Sequence, residues 1–254
     1  MNALAIIPAR YASTRFPGKP LALLDGKPII QRVWERVSDA VGADAAVVAT
    51  DDERIVAAVR GFGGQVRMTR TDHRSGTDRC GEVLTALEED GAHFDIVVNV
   101  QGDEPFVRRD QLTALIGRFD KAEVQIATLR TPIRSADALW SPNNVKVVAD
   151  SDGRALYFSR HPLPYQRGTE PKNWTEKHVY YKHVGVYAFR SEVLKRLVQL
   201  PTGMLERCES LEQLRWMEHG YPIHLCDTGW ENIGIDTPED LQLAERELHQ
   251  THTN

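Results

Sequence analysis

The chain carries Arg10, Arg15 and Lys19 before its first acidic residue, Asp25. All three cations fall within Pro8-Ala9-Arg10-Tyr11-Ala12-Ser13-Thr14-Arg15-Phe16-Pro17-Gly18-Lys19-Pro20. Cations with no counter-charge in the same segment suit a polyphosphate, which brings several negative charges to one place. Ser13 and Thr14 add hydroxyl donors, and Gly18 lets the backbone approach an oxyanion closely. The alternative is a solvated loop whose arginines pair with acids far away in the chain. The P-loop pattern G-x-x-x-x-G-K-[ST] is absent, and the glycines at 61, 63 and 64 have the wrong spacing for a dinucleotide fingerprint.

Carboxylates stand out at two other places. Val97-Val98-Asn99-Val100-Gln101-Gly102-Asp103-Glu104-Pro105 reads as a buried strand ending in two acids. Gly102 permits a tight turn, and Pro105 restricts Glu104 to extended conformations. Such carboxylates can hold a hard cation such as Mg²⁺ beside substrate phosphates. A turn-capping Asp103 with Glu104 in solvent is the plainer reading. Farther on, Thr237, Pro238 and Asp240 read as the cap, first turn and capping-box partner of a helix. Asp236 lies one residue before that cap and has no structural task, which leaves it available as a second metal ligand.

These residues need a scaffold, and the apolar pattern supplies one. Ala3–Ile7, Ala45–Ala49, Gln65–Met68 and Ile96–Val100 read as strands. Ile29–Val41, Glu53–Arg60, Arg79–Glu89 and Gln111–Phe119 read as the helices between and after them. Strand–helix alternation with near-continuous apolar strands predicts an α/β fold with a mostly parallel sheet covered by helices on both faces. In such sheets ligands bind at the carboxyl ends of strands, where the cation loop begins and where Asp103 lies. Beyond about residue 130 the pattern changes. Val145–Ala149 and Ala155–Ser159 flank an Asp-Gly turn and predict a hairpin, 161–178 reads as a long loop, and Val184–Phe189 is a strand. A helix at Leu211–Glu218, with Ser210 and Gln213 as a capping box, precedes a strand at Ile223–Leu225 and a last helix at Pro238–Leu248. The reading is one domain with an inserted lobe at roughly 130–205. Trp140, Trp174, Trp216 and Trp230 read as packing residues.

Composition narrows the classes further. A net charge of −5 excludes a polybasic nucleic-acid binder, so any anion site is local. Cys80, Cys208 and Cys226 are odd in number and scattered, which fits a reducing cytosol rather than a disulfide framework. The apolar stretch Ala3–Ile7 stops at Pro8, too short for a leader or a membrane span.

Seven segments then carry a resemblance. The cation loop is followed in order by Ser75-Gly76-Thr77-Asp78-Arg79, Asn99–Pro105, Phe158-Ser159-Arg160, His183-Val184-Gly185-Val186-Tyr187, Leu211-Glu212-Gln213-Leu214-Arg215 and Asp236-Thr237-Pro238-Glu239-Asp240. Together they resemble the 3-deoxy-manno-octulosonate (Kdo) cytidylyltransferases from Ala5 to about Leu243. The departures are Phe16 where Leu is usual, Asp78 where Glu is usual, and an individual loop at 161–178. The resemblance implies a Rossmann-like nucleotidyltransferase with a smaller dimerisation lobe, acting as a cytoplasmic homodimer. It implies CMP transfer from CTP to the anomeric hydroxyl of the sugar acid, for lipopolysaccharide synthesis. By resemblance Arg10, Ser13, Arg15 and Lys19 hold the triphosphate, Asp103 and Asp236 hold Mg²⁺, and Ser75, Gly76 and Arg79 recognise the nucleotide. Gln101, Arg160, His183, Tyr187, Glu212 and Gln213 surround the sugar acid. Two readings stay beside this one: activation of a related acid such as 8-amino-Kdo or sialic acid, and a non-catalytic CTP-binding protein. A period of two would put His183, Gly185 and Tyr187 on one strand face, with Gly185 leaving room between polar tips. Arg160 could meet a carboxylate as a bidentate fork.

Overall fold

The computed structural model describes residues 1–12, 15–230 and 234–251. The chain forms two compact units, Met1–Ile116 with Asn232–Asn254, and Gly117–Glu231.

The first unit opens with β1 (Ala3–Ala9). A small antiparallel pair, β2 (Leu23–Leu24) and β3 (Lys27–Pro28), leads into α1 (Ile29–Val41). Then come β4 (Ala46–Thr50), α2 (Glu53–Gly61), β5 (Gln65–Met68), α3 (Gly76–Glu89), β6 (Ile96–Asn99) and α4 (Arg109–Gly117). The strand order is β6-β1-β4-β5, and the pairs β1–β4, β1–β6 and β4–β5 are all parallel. Leu4, Ile6, Val48, Val97 and Val98 are fully buried. Each such side chain contributes about 1.5–3 kcal/mol relative to an exposed one. Ile29, Ile30, Val33 and Val37 make the buried stripe of α1, and the Trp34 indole donates to Ala46 O at 2.9 Å, fixing the helix to β4.

The crossovers from β1 to β4 to β5 run one way along the sheet, and the crossover from β5 to β6 runs back past β1. Right-handed connections therefore put α1 and α2 on one face and α3 on the other, as expected of a sheet covered on both faces. The reversal leaves a crevice between the carboxyl ends of β1 and β6.

The second unit is mixed rather than parallel. It holds β7 (Ile126–Pro132), α5 (Ala136–Trp140), the hairpin β8 (Lys146–Ala149) and β9 (Ala155–Ser159), and α6 (Trp174–Lys177). These precede β10 (Tyr181–Arg190), α7 (Ser191–Leu197), α8 (Met204–Glu209), α9 (Glu212–Glu218) and β11 (Ile223–Asp227). β11 lies parallel to β7, while β10 pairs antiparallel with both β7 and β8. The chain then returns to the first unit as α10 (Pro238–Thr251). Among the described residues no helix is long and apolar enough to cross a membrane.

Several expectations need correcting. α3 starts at Gly76, three residues before the apolar pattern begins, because the Ser75 hydroxyl accepts from Asp78 N at 3.1 Å and caps the helix. The segment 161–178 is not all loop; it contains α6, anchored by the buried Trp174. Ser210 and Gln213 form no capping box. Ser210 stands left-handed at φ 51° as the end of α8, and the cap of α9 is Leu211, without a side-chain bond. Trp174 and Trp216 are buried as packing residues, but Trp140 and Trp230 are each 41% exposed.

Candidate active site

The crevice at the ends of β1 and β6 forms a cleft of about 440 Å³ in the first unit. Its floor exists because Gly102 has no side chain. A Cβ there would stand 2.9 Å from Pro8 O and 3.3 Å from the Ala9 Cβ. Gly102 N instead donates to Pro8 O at 3.2 Å, drawing the end of β6 onto the end of β1. Gly76 approaches just as closely, since a Cβ would meet Pro8 Cγ at 3.0 Å and Gln101 Oε1 at 3.2 Å. Ser75 and Gly76 therefore line the cleft as the amino end of the 14-residue α3. The unpaired N–H groups and dipole of a helix start favour an anion.

The cation loop closes the other side. Gly18 adopts φ 72°, donates to Tyr11 O at 2.9 Å, and precedes the short helical turn that carries Lys19. The Lys19 ammonium lies 2.6 Å from Asp103 Oδ2 and 3.1 Å from Asp236 Oδ1. Arg15 Nη2 reaches Asp236 Oδ2 at 3.1 Å. Asp236 is brought here from far along the chain by two devices. Ile235 N donates to Asp103 O at 3.0 Å, and a capping box fixes the start of α10. In that box Thr237 N donates to Asp240 Oδ2 at 2.8 Å, and Asp240 N donates to Thr237 Oγ1 at 3.2 Å. Burial alone would lower the Lys19 pKa, but Asp103 and Asp236 outweigh it and hold the ammonium above its ordinary value.

Two carboxylates aimed at one cation form the hard-oxygen donor set that Mg²⁺ takes, with further positions left for phosphate and water. Among the described residues no group of three or more acidic, Cys or His side chains gathers as a metal cage.

Arg10, Arg15, Lys19, Ser75, Gly76, Gln101, Asp103 and Asp236 all line this cleft. Ser13 lies outside the described residues. Arg79 does not reach the cleft wall. Its buried guanidinium bonds Asp51 Oδ2 at 2.8 Å and the Thr69 hydroxyl, tying α3 to the ends of β4 and β5. Arg74 lines the cleft although the sequence reading passed over it. Its place immediately before the Ser75 cap was the available signal.

The remaining residues predicted for the sugar acid belong to the second unit. His183 and Tyr187 meet, with ring centroids 5.2 Å apart. They do so across a bulge between Val184 and Tyr187, not along a straight strand with a period of two. Space for a Cβ at Gly185 is open. Arg160 donates from Nε to Glu209 O at 2.7 Å, from Nη1 to Pro142 O at 3.0 Å and from Nη2 to Ser210 O at 3.3 Å. Each Nη keeps a second hydrogen for another acceptor. Glu212 accepts from Arg215 Nη2 at 2.6 Å, and Gln213 is buried in α9.

Parallel sheet, switch-point cleft, cation loop and paired aspartates define an α/β nucleotidyltransferase of Rossmann-like architecture. The family model described as cytidylyltransferase matches residues 4–226. Two 3-deoxy-manno-octulosonate cytidylyltransferases are each 53% identical to the chain. The one from Parabacteroides distasonis is matched over 96% of this chain and 97% of its own, and that from Bacteroides thetaiotaomicron over 98% of each. The chain belongs to the 3-deoxy-manno-octulosonate cytidylyltransferase family. A solved CMP:2-keto-3-deoxy-manno-octonic acid synthetase complexed with CTP superposes at a TM-score of 0.89 with 44% identity, covering 99% of this chain and 100% of that one. A cytidylyltransferase from Leptospira borgpetersenii, 16% identical at a TM-score of 0.61, shares the fold.

Proposed function

We propose that the chain transfers CMP from CTP to the anomeric 2-hydroxyl of Kdo, giving CMP-Kdo and pyrophosphate for lipopolysaccharide synthesis. The supporting observation is the meeting of Lys19, Asp103 and Asp236 at one point of the first-unit cleft. Mere retention of a triphosphate does not call for two converging aspartates, which speaks against a non-catalytic CTP-binding protein.

In this reading Arg10, Arg15 and Lys19 gather the triphosphate, and the amino end of α3 offers backbone N–H groups to a further oxygen. The sugar hydroxyl attacks the α-phosphorus in line with the departing pyrophosphate. Lys19 and Arg15 stabilise the charge that grows on that leaving group, and such preorganised electrostatics is commonly the largest catalytic contribution. Asp103 and Asp236 would hold Mg²⁺, which when bound neutralises phosphate charge and acidifies a nearby hydroxyl, so no dedicated protein base is required. By the resemblance, Arg160, His183, Tyr187, Glu212 and Gln213 of the second unit hold the sugar acid.

The same reading has the enzyme work in the cytoplasm as a homodimer. In support of the dimer, the second unit exposes Leu156, Tyr165 and Val179 beside an apolar groove. Pyrophosphate release from CTP or UTP, assayed against Kdo, 8-amino-Kdo and sialic acid, tests the function. Release with CTP and Kdo is expected. Release only with an amino analogue or sialic acid moves the substrate, and none with any acid leaves a binding protein.

A further inference from the structure

The bulge in β10 has a specific cause. Val184 pairs with Leu129, yet Tyr187 pairs with Thr128, so Gly185 and Val186 are extra residues with no partner on β7. The fully buried Thr128 joins the two sides of this bulge. Its Oγ1 lies 2.8 Å from Val186 O, 3.3 Å from Val184 O and 3.0 Å from His183 Nε2.

The Thr128 hydroxyl constrains the imidazole. A hydroxyl has a single hydrogen, and a carbonyl oxygen can only accept. Thr128 gives its hydrogen to a carbonyl, Val186 O being nearer, so towards His183 it can only accept. Nε2 therefore carries the ring hydrogen. The ring is enclosed by Phe158, edge-on at 5.1 Å, and by Tyr187. Burial, with Lys182 as the lesser cause, pushes its pKa down to about 3, so the ring is neutral at ordinary pH. In a neutral ring with Nε2–H, Nδ1 is a bare acceptor. Nδ1 has no partner among the described residues, and His183 is only part-buried. Beside it the Tyr187 hydroxyl is buried without a hydrogen-bond partner, and burial, then Glu212, keep it protonated. The bare Nδ1 acceptor matches a hydroxyl donor of a polyol.

We propose that Thr128 is a positioning residue that holds His183 as its Nε2–H tautomer, so that Nδ1 accepts a hydrogen bond from a hydroxyl of the sugar acid. This role rests on the sugar-acid reading above.

The test uses the full chain with ¹⁵N-labelled histidine, the His183 signals being identified by their loss in His183→Gln. The ring shifts of wild type and Thr128→Ser should report protonated Nε2 and bare Nδ1, whereas Thr128→Val should show mixed or reversed tautomers. The KM for Kdo should rise about ten-fold in Thr128→Val, the loss expected of one hydrogen bond, while the KM for CTP stays near wild type. Thr128→Ser, which keeps the hydroxyl, should restore the Kdo KM and control for a packing defect. Protonated Nδ1 in wild type, an unmoved Kdo KM in Thr128→Val, or failure of Thr128→Ser to rescue it overturns the role. No pyrophosphate release with any sugar acid overturns the functional reading and this role together. The ring shifts need no turnover, so the two failures are told apart.

Discussion

Asp103 and Asp236 are 133 residues apart in sequence, yet each contacts the same Lys19 ammonium. Asp103→Asn keeps the shape and removes the charge. Its turnover should fall by about 10²–10³, the usual cost of losing one preorganised electrostatic contact, with an unchanged far-UV circular dichroism spectrum. Near-normal turnover would overturn the proposal that Asp103 holds a metal. At this scale Asp236 was legible because local structure gives it nothing to do, and the cations because no acid stands near them in sequence. Arginines were less legible. Arg79 and Arg160 look alike in sequence to Arg10 and Arg15, but the buried guanidinium of Arg79 is held by Asp51 and Thr69 away from the cleft, and that of Arg160 is fixed by three carbonyls with one hydrogen left on each Nη.

Elements bring these residues to one place by close backbone approach. Gly102→Ala puts a methyl group 2.9 Å from Pro8 O, an atom that cannot swing aside as a side-chain tip would. Forced overpacking of this kind costs about 1–3 kcal/mol. A lower denaturation midpoint, together with reduced turnover, is expected, and an unchanged midpoint would mean that β1 and β6 can part freely. The strands of the first unit were readable because both of their faces are buried and their apolar runs are nearly continuous. β7 escaped notice because Thr128, Arg130 and Thr131 interrupt it, and two of these are buried for their hydrogen bonds or pairing rather than for apolarity. The short helices α7 and α8 were missed for a related reason. Seven and six residues are too few to establish a helical period.

For the whole molecule, stability registers what individual groups resist. His183 takes up a proton in the unfolded chain near its ordinary pKa of 6.5 but in the folded one only at about 3. Between those values the unfolded state binds more protons, so stability is complete above pH 6.5 and declines as the pH falls towards 3. This one group adds a slope of up to about 1.4 kcal/mol per pH unit in that window. Denaturant unfolding of wild type and His183→Gln between pH 7 and pH 5, of which about 1.5 units lie below the ordinary pKa of 6.5, should show the variant losing less stability on acidification. Parallel curves would mean that His183 stays accessible to protons.

Charge isolation and apolar periodicity, both local properties, were enough to determine the α/β class and to single out the cation loop and the two aspartates as candidates. The seven ordered segments were enough to determine the family. The tertiary structure alone decided which cations remain available to a ligand, that Asp236 reaches Lys19, and where α3 begins relative to the cleft. It alone decided the state of the His183 ring, since a tautomer depends on which partner's hydrogen is already committed. Local properties travel along the chain with each residue, whereas hydrogen-bond commitments exist only after distant segments have met.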